Sequence, residues 1–145
     1  MIAIGSDHGG FSYKEEIKTF LTALGYEYKD FGTFSADSCD YPDIAKEVAS
    51  AVSKGDFSEG ILICGTGIGM SIAANKVKGI RAAHVTDTFS AQMSKEHNNA
   101  QIVCIGERIT KLEDAKEIVK TFLTSSFAGD RHIKRVEKIM AIEKD

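Results

Sequence analysis

GILICGTGIGMSIAAN, residues Gly60–Asn75, is the stretch that decides the fold. Ile61, Leu62, Ile63 and Cys64 form an apolar run too short for a helix and typical of a strand buried on both faces. Gly65, Gly67 and Gly69 follow at alternate positions, and Met70, Ile72, Ala73 and Ala74 then read as the start of a helix. Strand, glycine turn and helix together make an anion site. Glycine lets the backbone approach a ligand, and the helix start offers unpaired N–H groups at the positive end of a dipole. Cys64 stands at the strand's end beside that turn. Two readings of it are open: a small core residue, the usual fate of a lone intracellular cysteine, or a thiol whose pKa the helix start lowers enough to make it a base or nucleophile.

Outward from this stretch, strands and helices alternate. Ile2–Ser6 reads as a first strand and Ser6–Gly10 (SDHGG) as a glycine-rich turn. Phe11, Ile17, Phe20, Leu21 and Leu24 share one helical face, and Gly25 ends that helix. Tyr26–Phe31 reads as a second strand. Pro42 suits the first turn of a helix running to about Ser53, with Ile44, Val48, Ala49 and Val52 as its buried stripe. Gly79–Val85 and Gln101–Gly106 read as the fourth and fifth strands. Asp87 or Thr88 caps the helix between them. Thr110–Glu113 has the form of a capping box, opening a helix with the stripe Leu112, Ala115, Val119, Phe122 and Leu123. A last helix starts near Arg131, with Ile133, Val136, Ile139 and Met140 at helical spacing. This order predicts an α/β fold: a three-layer open parallel five-stranded sheet, Rossmann-like, with helices on both faces and an extra C-terminal helix. No linker, repeat or composition shift divides residues 1–145, so one domain is expected. Ligands of such sheets bind at the C-terminal strand ends, where Asp7, His8 and Cys64–Gly69 converge.

Composition narrows the function. The chain has 145 residues, 18 basic and 21 acidic, for a net charge of -3, which excludes a general nucleic-acid binder. No apolar run reaches membrane-spanning length. The three cysteines, Cys39, Cys64 and Cys104, are odd in number and lack a CxxC pair, which fits a cytoplasmic protein without a disulfide framework. His8, His84, His97 and His132 lack metal-ligand spacing, so no metal is expected. The glycine turn is not the dinucleotide fingerprint, which would need glycine where Met70 stands, and no Gly-Lys-Ser/Thr makes it a P-loop. A phospho-accepting receiver domain would end its third strand in aspartate; this one ends in Cys64. An oxyanion or small phosphate site remains. Arg131 and Arg135 lie four apart at a helix start, where the dipole disfavours cations, and a bound phosphate would relieve that conflict. Arg108 is a further candidate. His97 and Asn98 suit either a helix C-terminus or a polar group delivered into a site, across a subunit boundary.

These residues together resemble one family, ribose-5-phosphate isomerase type B, grouped with the galactose-6-phosphate isomerase subunits. The resemblance covers essentially the whole chain. It rests on SDHGG at 6–10, DYP at 40–42, ICGTGIGMSIAANK at 63–76, GIRAA at 79–83, EHNNA at 96–100, GER at 106–108 and the Arg131/Arg135 helix.

The resemblance implies an aldose–ketose isomerase of a phosphosugar, working through a cis-enediolate without cofactor or metal. By position, Cys64 looks like the base between C1 and C2 and Thr66 like the hydroxyl that relays protons between the oxygens. The backbone of Gly65, Gly67, Ile68, Gly69 and Met70 resembles the anion hole. His97, helped by Asp7, resembles the group that opens the furanose ring, and Tyr41 and Asn98 look like sugar-hydroxyl contacts. His8, Arg108, Arg131 and Arg135, with His132, match phosphate contacts. Some family members carry a carboxylate base at the position of Met70; Met70 with Cys64 resembles the cysteine-type branch. The resemblance also implies a homodimer with shared sites, His97 and Asn98 serving the partner's Cys64, and two dimers able to form a tetramer. His84 has no role in this pattern. A six-carbon phosphosugar isomerase and a phosphosugar-binding module without turnover are the alternatives.

Overall fold

The computed structural model describes residues 1–145. Its strands are β1 (Ile2–Ser6), β2 (Tyr28–Asp30), β3 (Glu59–Cys64), β4 (Ala82–His84) and β5 (Ile102–Gly106). Its helices are α1 (Phe11–Ala23), α2 (Tyr41–Ser53), α3 (Ile68–Asn75), α4 (Thr88–Glu96), α5 (Leu112–Thr124) and α6 (Arg131–Ala141), with short 3-10 turns at His8–Gly10 and Ile142–Lys144. The strands form one parallel sheet in the order β2-β1-β3-β5-β4.

The expected three layers are present. Helices α1, α4 and α5 cover one face through Ile17, Leu21, Ala91, Ile118 and Phe122, packed on Ile4, Ile61, Ile63 and Val103. Helices α2 and α3 cover the other through Val48, Ala49, Met70 and Ala74 on Ala3, Leu62, Ile102 and Cys104. The apolar run of β3 therefore feeds both cores, and Ile61, Leu62 and Ile63 are wholly buried. Each such side chain contributes about 1.5–3 kcal/mol relative to exposure. The strand order reverses between β1 and β3, so a crevice opens at their C-terminal ends, where the turns after Ser6 and Cys64 meet.

Several local expectations need correction. β2 and β4 are three-residue strands, shorter than Tyr26–Phe31 and Gly79–Val85, because they flank the sheet and have one neighbour each. Leu24 is exposed just past the end of α1, and Ile133 and Ile139 are exposed on α6, where only His132 and Val136 are buried. No capping box forms at Thr110: α5 starts after Lys111 with no side-chain cap, and the Thr110 hydroxyl is buried without a partner. Asp87 does cap α4, accepting the Ser90 N–H at 2.6 Å.

Two polar devices fix the periphery. Lys14, wholly buried on α1, places Nζ 2.7 and 2.6 Å from the two Asp30 carboxylate oxygens, and Lys18 adds a contact at 2.9 Å. Burial alone would raise the Asp30 pKa; the bonds from Lys14, Lys18 and the Gly32 N–H outweigh it and hold the carboxyl below the usual range. At the opposite margin, the Asn75 side chain bonds both backbone groups of Ala82 on the edge strand β4, accepting its N–H at 2.8 Å and donating to its carbonyl at 2.9 Å.

Candidate active site

Cys64 ends β3 at the crevice, and a cleft of about 410 Å³ opens over it, lined by Asp7, Tyr41, Gly65, Thr66, Gly69 and Arg108, with Ile68 and Ile72 at its rim. The Cys64 sulfur accepts the Gly67 N–H at 3.1 Å. That bond depends on Gly67 adopting a left-handed conformation (φ 82°), which L side chains rarely tolerate. An N–H aimed at sulfur solvates a thiolate in a place where water has little access. The N–H groups of Gly65, Thr66, Gly69 and Met70 donate to nothing within the chain, whereas the Ile68 N–H is taken by the Thr66 hydroxyl at 3.3 Å. These four unpaired donors lie at and just before the start of α3, and Gly65, Thr66 and Gly69 line the same cleft as the thiol, the arrangement that suits an oxyanion.

The neighbouring turns close around this loop. The Gly65 carbonyl accepts the Arg108 N–H and the Cys64 carbonyl accepts the Glu107 N–H, both at 2.9 Å. A methyl group at Gly69 would lie 2.5 Å from the Tyr41 ring, and one at Gly106 would lie 2.5 Å from the Thr66 carbonyl. Bare backbone is therefore required at Gly106, where the clash is with main chain, while at Gly69 a side chain would push the Tyr41 ring aside. Asp7 is both cap and cleft residue: one oxygen accepts the Gly10 N–H at 3.1 Å while the side chain lines the cavity. His8 accepts the Cys39 N–H at Nδ1, 3.2 Å away, which leaves its hydrogen on Nε2 as a donor. Burial, and secondarily the neighbouring Cys64, push the Cys104 thiol far up, so Cys104 stays neutral within the core.

A second group of expected site residues assembles elsewhere. His97 caps the C-terminal end of α4, and its ring stacks on His132 of α6 with centroids 4.3 Å apart. Arg131 and Arg135 are exposed on the same helix. Arg81 fastens this group to the sheet. Its Nε donates to the carbonyls of Asn98 at 2.9 Å and Asn99 at 3.2 Å, and its Nη1 reaches the Met140 sulfur at 3.0 Å. Arg81 lies just before β4 and His97–Asn99 just before β5, at the N-terminal edge of the sheet, and the stack on His132 brings the start of α6 to the same edge. Cys64 lies at the C-terminal edge, four residues along β3 from the Gly60 level where β5 starts, about 13 Å of strand. Within one chain, His97, Asn98, Arg131, His132 and Arg135 therefore do not meet Cys64.

The family model described as Ribose/Galactose Isomerase matches residues 2–139. The chain belongs to the ribose/galactose isomerase family. Ribose-5-phosphate isomerase B of Escherichia coli is 49% identical over 99% of this chain and 96% of its own length. The D-erythrulose-4-phosphate isomerase of Pectobacterium atrosepticum is 43% identical over 95% of this chain and 91% of its own. The crystal structure of ribose-5-phosphate isomerase B from Mycoplasma genitalium with bound ribulose-5-phosphate superposes with a TM-score of 0.95 at 41% identity, covering 99% of this chain and 96% of that one.

Against the family pattern, the sequence names most of the cleft but misses some of its parts. Met70 contributes backbone only, because its side chain is wholly buried in the α2/α3 core. Ile72, on the rim, reads from spacing as an ordinary helix residue. His84, given no role by the sequence, reaches the glycine turn: its Nε2 lies 2.8 Å from the Thr66 carbonyl oxygen. Nothing in the spacing of β4 signals this contact. Another cleft, about 440 Å³, lies at the N-terminal edge beside Ile80, Ala82, Ile139 and Met140; it is mostly apolar, and its one carboxylate, Glu143, accepts the Gly79 N–H at 2.8 Å. No cluster of His, Cys, Asp and Glu suited to a metal occurs, and no helix is long and apolar enough to cross a membrane.

Proposed function

We propose that this chain interconverts D-ribose 5-phosphate and D-ribulose 5-phosphate, with Cys64 as the base. The observation that carries the reading is the Gly67 N–H at 3.1 Å from the Cys64 sulfur, beside four undirected backbone donors. A thiolate base holds negative charge at rest, and the carbonyl oxygen on the carbon adjacent to the one it deprotonates holds that charge during the reaction. One loop serves both needs.

On the open-chain aldose, the Cys64 thiolate takes the proton from C2. The C2–H electron pair moves into a C1–C2 double bond, and the carbonyl pair moves onto O1. The N–H groups of Gly65, Thr66, Gly69 and Met70 stabilise that charge. Thr66, whose oxygen accepts the Ile68 N–H, keeps its own hydrogen available to pass between O2 and O1. Returning the thiol proton to C1 gives the ketose and restores the thiolate. Asp7 and Tyr41 are placed at the sugar, and His8 and Arg108 near the phosphate.

The site is completed by a second copy. His97 opens the furanose ring over the partner's thiol, Asn98 holds a hydroxyl, and Arg131, His132 and Arg135 grip the phosphate. The separation of these residues from Cys64 across the sheet supports a homodimer with shared sites. A soluble metabolic enzyme of the cytoplasm fits the composition. The Pectobacterium relative supports a second reading, a four-carbon phosphosugar substrate in the same chemistry.

The test is conversion of D-ribose 5-phosphate by the purified protein with EDTA present, followed as ribulose 5-phosphate. Turnover is expected, and Cys64→Ala lowers kcat by about 10³-fold while binding persists. Turnover of only four- or six-carbon phosphosugars overturns the substrate. Tight binding without exchange of the C2 proton overturns the enzyme in favour of a binding module.

A further inference from the structure

We infer that His84 is a positioning residue for Cys64: by holding the Thr66 carbonyl it aims the Gly67 N–H at the Cys64 sulfur. His84 ends β4, half-buried, with Nε2 2.8 Å from the Thr66 oxygen. A carbonyl oxygen only accepts, so Nε2 carries the hydrogen. No backbone N–H donates to that oxygen, and His84 is its partner in the chain.

The Thr66 carbonyl and the Gly67 N–H belong to one peptide unit. In a planar trans peptide the two point in opposite directions. The unit is therefore gripped at both ends, by His84 at the oxygen and by the Cys64 sulfur at the N–H, 3.1 Å away. Turning the plane about its axis would break both bonds together. The bonds also polarise each other: a donor at the carbonyl oxygen makes the N–H of the same unit a stronger donor. Packing reinforces the grip, since a Cβ at Gly67 would stand 2.8 Å from the His84 ring and 2.9 Å from the Ile105 carbonyl carbon. The other titratable and charged groups facing Cys64 are Asp7, Tyr41 and Arg108 at the cleft and Cys104 from β5. The role of Cys64 as base rests on the function proposed above; the grip on its sulfur does not.

Alkylation tests this without turnover. In a Cys39→Ser background, Cys64 is the thiol that opens to the cleft, Cys104 being wholly buried. The rate of Cys64 modification by iodoacetamide is measured against pH, by mass spectrometry, in His84→Ala, His84→Leu and His84→Gln. Leucine fills space without donating; glutamine donates. The midpoint is expected to rise by about half a unit to one unit in the alanine and leucine variants and to stay in place in the glutamine variant. Turnover should fall through kcat, with KM kept. An unmoved midpoint in His84→Ala, or equal shifts in all three, overturns the inference. The expected shifts in a chain that turns over no phosphosugar leave the positioning intact and remove the isomerase reading instead.

Discussion

The rings of His97 and His132 stack at 13° to each other, joining the end of α4 to the first turn of α6. Two imidazoles at this distance cannot both be charged without repulsion. Desolvation by burial, followed by the charges of His97, Arg131 and Arg135, holds the His132 pKa below its ordinary value of 6.5, with Asp130 opposing. The unfolded chain therefore takes up this proton at a higher pH than the folded one. The stability linked to His132 is in place above that value and is lost as pH falls through it toward the folded pKa. Thermal unfolding between about pH 7.5 and about pH 5 should show a smaller drop in Tm for His132→Asn than for the parent. Equal drops would remove His132 as a source of acid sensitivity.

Placing His97 and Cys64 at opposite edges of one sheet has a measurable result for mixtures. Cys64→Ala and His97→Ala should each be inactive alone. In the shared-site dimer proposed above, unfolding the two together and refolding them in equal amounts makes half of the dimers hybrids, each with one intact site, so about a quarter of parental activity should return. Hybrids visible by native mass spectrometry without any activity would mean that the two residues do not serve a common site.

The Lys14–Asp30 pair makes a stability prediction. Lys14→Met leaves Asp30 with Lys18 and the Gly32 N–H and removes a wholly buried cation. Breaking such a pair costs about 3 kcal/mol, read as a shift of the urea midpoint. Because Asp30 is held below the usual carboxylate range, its share is in place above about pH 4 and disappears as acid protonates it. A midpoint unchanged in Lys14→Met would show that hydrophobic packing of the methionine side chain offsets the lost pair.

What the sequence discloses and what it hides follow from range. The run Ile61–Cys64 and the glycines after it announce strand, turn and helix because the constraint is local, and Gly67 does take the left-handed conformation that only glycine accepts readily. Lys14 is hidden by identity. It sits three residues before Ile17 and seven before Leu21, on the buried face of α1, and its partner lies sixteen residues away on another element. A lysine inside an apolar stripe was the available signal. Thr110 misleads in the opposite direction: its spacing to Glu113 fits a cap, yet tertiary contacts bury it and start α5 later. His84 gives no signal, since a bond from a strand end to a backbone carbonyl leaves no trace in residue spacing.

The open flank of the sheet carries one more consequence. An outside strand that came to lie along β4 would have to bond the N–H and carbonyl of Ala82, and the Asn75 amide already occupies both. With only three residues in β4, little unclaimed backbone is left to recruit. Addition of a foreign strand along this flank is thereby disfavoured, a mode of contact that accepts almost any chain. A partner at this flank must then be recognised through side chains, where one sequence can be told from the next.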